Sequence, residues 1–116
     1  MEYLSFDIEI SDEFDVQPGE DLSQYGPFHI SVAATVESGG NSRLWYSAGD
    51  GGAPARSMDQ GKARELLAYL VQMQKEGWKL FAWNGLGFDL RWIGYNAGDM
   101  ETAAGVALGL YDPMFQ

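Results

Sequence analysis

The hydrophobic period of this chain first changes between Ser47 and Gln60, from alternation to helical spacing, and that change constrains the fold more than any other feature. Before it, apolar residues alternate. Leu4, Phe6, Ile8 and Ile10 fall on one face of an extended segment, with Ser5, Asp7 and Glu9 on the other. Phe28 to Val36 reads as a second strand and Arg43 to Ser47 as a third, separated by the turn Glu37-Ser-Gly-Gly-Asn41. Asp12 to Tyr25, acidic and containing Pro18-Gly19, reads as a connection. After the change, Ala63, Leu66, Leu67, Leu70 and Met73 recur at helical spacing. Ser57 and Gln60 fit a capping box at the start of this helix, and Gly77 ends it. Trp78 to Trp83 reads as a fourth strand, Asn84 to Gly87 as a turn and Phe88 to Tyr95 as a second helix. Asp99 caps a last helix over Met100 to Leu110, and the tail from Tyr111 has no closing element.

The order is therefore β-β-β-α-β-α-α. A helix between the third and fourth strands implies a crossover, which sets the fourth strand parallel to its neighbour. The expected class is α/β: an antiparallel three-stranded meander plus a parallel strand, flanked by helices, in one domain over residues 1–116. Sites in such sheets form at the carboxyl ends of the parallel strands. Asp7 and Glu9 end the first strand, and Asn84 and Asp89 follow the fourth, so the two groups are expected to meet.

Charge narrows the chemistry. The net charge is −10, and residues 1–42 hold nine carboxylates with no Lys or Arg. Phosphate contacts dominate non-specific nucleic-acid affinity, so an acidic chain needs bound cations to approach a polyanion. There are no cysteines, which excludes a disulfide scaffold, a thiolate zinc site and a cysteine nucleophile. The N-terminus lacks signal-peptide features, and the longest small-apolar run, Ala103 to Leu110, is too short to span a bilayer. A cytoplasmic protein without membrane contact is the expectation.

Asp7 and Glu9, at i and i+2 on one strand, put two carboxylates on one face with Cα atoms about 6.5–7 Å apart. Such a pair repels itself unless a proton or cation intervenes, and Mg²⁺ or Mn²⁺ takes oxygen ligands. In isolation a D-x-E pair more often just lines a wet sheet face. Asp89 alone fits the preference of acidic residues for helix N-termini, and Asn84 fits a turn. The acidic stretch 7–21 lacks the alternating ligands and fixed glycine of a calcium loop.

The two motifs together carry a resemblance. Phe6-Asp7-Ile8-Glu9 resembles the first motif of the DnaQ-like (DEDD) 3′–5′ exonucleases, which have a ribonuclease H-like fold. Trp83-Asn84-Gly-Leu-Gly-Phe88-Asp89-Leu90 resembles their second, N-x3-F-D. The resemblance implies Asp7, Glu9 and Asp89 as catalytic metal ligands: Asp7 bridging two Mg²⁺ or Mn²⁺ ions, Glu9 binding the one that activates water, and Asp89 helping to hold the other. It implies a nucleic-acid-binding role for the second motif, with Asn84 touching the substrate backbone and Phe88 packing beneath. The implied partner is the 3′ end of single-stranded DNA or RNA, and the implied reaction is phosphodiester hydrolysis.

The family's third motif, a Tyr or His followed by a fourth carboxylate, has no counterpart at the expected distance. Tyr95-x3-Asp99 has the spacing but lies only six residues after Asp89, too near for a helix to return to the site. His29, at the start of the second strand, fits an ordinary strand residue. The chain is therefore expected to be an exonuclease-type domain lacking its C-terminal part, binding metal weakly and showing little or no catalysis alone. The other reading is a non-catalytic module on the same fold, binding protein through surface aromatics (Trp45, Tyr46, Trp92 and Tyr95) or pairing as a homodimer through the apolar segment 100–110 and the tail.

Overall fold

A computed structural model describes residues 2–11, 28–82 and 88–111. The alternating segment forms β1, Tyr3–Ile10. Leu4, Phe6 and Ile8 are buried while Asp7 and Glu9 face solvent, as the period-two pattern requires. β2 is Ile30–Glu37 and β3 is Ser42–Trp45. Both pairings, β1 with β2 and β2 with β3, are antiparallel, giving the meander. The register of β1 on β2 slips between Glu9 and Ile10, where the hydroxyl of Ser31 donates to the Glu9 carbonyl at 3.0 Å. A bulge of this kind twists a strand end and re-aims its side chains.

α1 spans Gln60–Lys75. It buries Ala63, Leu66, Leu67, Leu70 and Met73, each leucine contributing about 1.5–3 kcal/mol. Its cap is Asp59 rather than Ser57: the Asp59 carboxylate accepts from the amide of Lys62 at 2.7 Å and from the Ser47 hydroxyl at 2.9 Å. Those hydrogen bonds hold the Asp59 carboxyl below its ordinary range. Ser57 instead pairs with the hydroxyl of Ser11 at 2.9 Å, so the capping-box expectation was displaced by a long-range contact. Gly77 has φ +95°, and the amide of Trp78 reaches back to the Met73 carbonyl at 3.0 Å, which closes the helix and turns the chain into β4, Lys79–Ala82.

β4 lies parallel to β1, with Tyr3 opposite Lys79 and Phe6 opposite Ala82. α2 is Phe88–Ala97 and α3 is Met100–Leu108, capped by Asp99 as expected. The third helix stops two residues earlier than its apolar pattern suggests. Leu110–Tyr111 form a fifth strand, β5, parallel to β4, where an open-ended tail was expected. The sheet order is β3-β2-β1-β4-β5, a mixed sheet with a helical layer in which α2 packs on both α1 and α3. This arrangement is compatible with a ribonuclease H-like fold. Among the described residues the other sheet face stays open: Tyr3, Val36 and Leu44 are exposed on it. The loop 12–27 and the tail 112–116 lie outside the described residues.

α2 and α3 approach closely because residue 94 has no side chain. A Cβ there would sit 2.7 Å from the Cβ of Ala103 and 3.1 Å from the sulfur of Met100. Gly94→Ala is expected to cost about 1–3 kcal/mol despite the better helix propensity of alanine. Urea denaturation should show the lower midpoint, and a second change, Ala103→Gly, should restore part of it.

Candidate functional site

The parallel β1–β4 pairing sets the end of β1 beside the end of β4. Phe6 sits beside Ala82, so Asp7 and Glu9 extend β1 just past the point where β4 stops. β4 then leads through residues 83–87 into α2, whose first turn carries Asp89. Carboxyl ends of parallel strands are where α/β sheets build their sites.

The three carboxylates occupy different environments there. Asp7 and Glu9 are exposed on the open face. The Asp7 carboxylate accepts from the amide of Ile8 at 3.0 Å. Asp89, in the first turn of α2, is wholly buried. A buried carboxylate is expensive unless compensated, which makes its placement at a helix N-terminus physically sensible. Among the described residues, no group of three or more His, Cys, Asp or Glu side chains is gathered closely enough to hold a metal ion. Asp7, Glu9 and Asp89 therefore do not form a closed centre: two are exposed on the open face and the third is wholly buried, and their present geometry does not fit a two-ion site. Phe88 opens α2; Asn84 lies outside the described residues.

Two of the aromatics expected at the surface are in the core instead. Trp45 is 2% exposed: its indole donates to the Thr35 hydroxyl at 3.0 Å, its ring meets Tyr69 at 5.1 Å, and the Arg43 guanidinium covers it at 3.6 Å. Burial raises the Tyr69 phenol above its ordinary range. Trp92 is 4% exposed and packs edge-on against Phe28 at 4.9 Å. Tyr46 and Tyr95 do remain exposed. Asp99, the near-miss third-motif carboxylate, is occupied as a helix cap, accepting from the hydroxyl and amide of Thr102; these bonds hold its carboxyl below the ordinary range.

Sequence reasoning missed Asn96, the residue that anchors α2. Its side-chain amide donates to the carbonyls of Phe28 at 3.0 Å and Trp92 at 2.7 Å, and its oxygen accepts from the amide of Ile30 at 3.3 Å. The guanidinium of Arg64 adds a bond from α1 to the carbonyl of Ala97 at 2.8 Å. An Asn near a helix end gives no local signal for such a role.

No family model matches the sequence, and no curated protein matches it. Among solved structures the chain is similar to a family B DNA polymerase from the hyperthermophilic archaeon Pyrobaculum calidifontis. The identity is 18% and the TM-score 0.47, over 94% of this chain and 11% of the polymerase. This chain thus spans about a tenth of that protein. A likeness of that extent establishes neither family nor activity.

Proposed function

We propose that the chain is a nuclease-type domain of ribonuclease H-like fold that engages the 3′ end of single-stranded DNA or RNA, with a divalent-cation site left incomplete by its own residues. The observation that carries the reading is the β1–β4 register, which sets the Asp7-x-Glu9 strand end beside the strand that leads to Asp89. The meander order and the crossover through α1 support it. Asp7 and Glu9 would supply the oxygen ligands for Mg²⁺ or Mn²⁺; Asp89, wholly buried, is not gathered with them. With the ligands not gathered, cation binding by this chain is weak and hydrolysis is slight. Calorimetric titration with Mn²⁺ is expected to show weak binding that Asp7→Ala abolishes. Binding unchanged by that substitution would sink the reading.

A second reading has its own observation. Leu108 is 92% exposed and Met100 51%, so α3 presents apolar side chains outward. A non-catalytic module that pairs through this helix accounts for them. A concentration-dependent dimer in light scattering, together with no oligonucleotide binding in the presence of Mg²⁺, favours that alternative.

A further inference from the structure

We propose that Tyr95, seated beside His29 and Trp92 and accompanied by Arg91, forms a stacking platform for an unpaired nucleobase. The inference rests on the nucleic-acid reading above and names the part of the ligand that this surface recognises. Arg91 and Tyr95 stand one helical turn apart on the exposed side of α2, and Tyr95 is 43% exposed. Two near-perpendicular ring contacts fix the tyrosine: His29 at 6.0 Å and Trp92 at 6.2 Å. Such contacts hold a ring in one orientation while leaving surface for a ligand. The Arg91 guanidinium lies 4.8 Å from the Trp92 ring, which places a cation against the aromatic group. Trp92 itself is 4% exposed, and its indole N–H meets no acceptor among the described residues.

Location adds to composition. His29 immediately precedes β2, and its carbonyl accepts the amide of Ser11, the residue after β1. The platform therefore lies at the end of the sheet where β1 finishes, beyond Asp7 and Glu9. Residues 1–42 contain no Lys or Arg, so Arg91 brings to this acidic end a cation that β1 and β2 do not supply. Aromatic faces combined with a guanidinium are what a single strand needs: stacking for the base and charge for the phosphate.

The test uses the whole chain, a short fluorescent oligothymidylate and the same strand with abasic sites, at low salt with Mg²⁺. Fluorescence anisotropy is expected to show tighter binding of the base-bearing strand. Tyr95→Ala should weaken that strand roughly tenfold and leave the abasic one unchanged, while Tyr95→Phe keeps the affinity. Tyr95 is exposed, and thermal unfolding checks that each variant folds. Equal binding of the two strands, or no effect of Tyr95→Ala on a chain that binds, overturns the platform and leaves the nucleic-acid reading standing. A chain that binds neither strand overturns both.

Discussion

Trp45→Ala is expected to lower the stability of the fold by about 3–5 kcal/mol, measured by urea denaturation. The indole is 2% exposed, so truncating it removes a large volume from the core. Its removal also leaves Tyr69 without its ring partner, Arg43 without the ring it covers and Thr35 without the indole donor, deep between β2, β3 and α1. The milder Trp45→Phe keeps most of the volume and loses the hydrogen bond alone. A double-mutant cycle of Trp45→Phe with Thr35→Val should reveal a coupling of about 0.5–3 kcal/mol, because the pair share one buried bond. Simple additivity would show that the bond is energetically idle.

Asn96→Leu is expected to cost about 2–4 kcal/mol although the two side chains are similar in size. Leucine supplies neither of the two hydrogen bonds that tie α2 to the start of β2, nor the third, to the Trp92 carbonyl within α2. Losing partners for backbone groups between packed elements costs more than an exposed bond would return. Hydrogen exchange gives an independent readout: the amide of Ile30 should lose protection more than those of β3. Unchanged exchange at Ile30 would mean that α2 is held by packing alone. The variant also bears on the proposed function, since α2 carries both Asp89 and Tyr95.

Much of this architecture was legible from residue patterns. The alternation of Leu4, Phe6 and Ile8 gave both the first strand and its buried face. The meander, the crossover helix, the glycine that ends it and the Asp99 cap all followed from local chemistry. What was misread depends on distant partners. Ser57 lost the cap to Asp59 because Ser47, from another part of the chain, pairs with Asp59. Leu110–Tyr111 became a strand only because β4 offers an edge to it; two residues carry no period. Trp45 and Trp92 were expected among the surface aromatics, yet the register of Trp45 opposite Ala33 turns it inward. For the site, the motifs indicated which strand ends are neighbours. They did not reveal that Asp89 is enclosed while Asp7 and Glu9 stand on the open face, since that depends on how α2 settles on the sheet.

The first strand made is the middle strand of the finished sheet. During synthesis β1 can zip onto β2 early, but its other edge waits until residues 79–82 have left the ribosome. Throughout that interval a row of unsatisfied backbone donors and acceptors is on offer to any passing strand. Assembly of this domain should accordingly be paced by the arrival of β4, and premature release would favour sticking over folding.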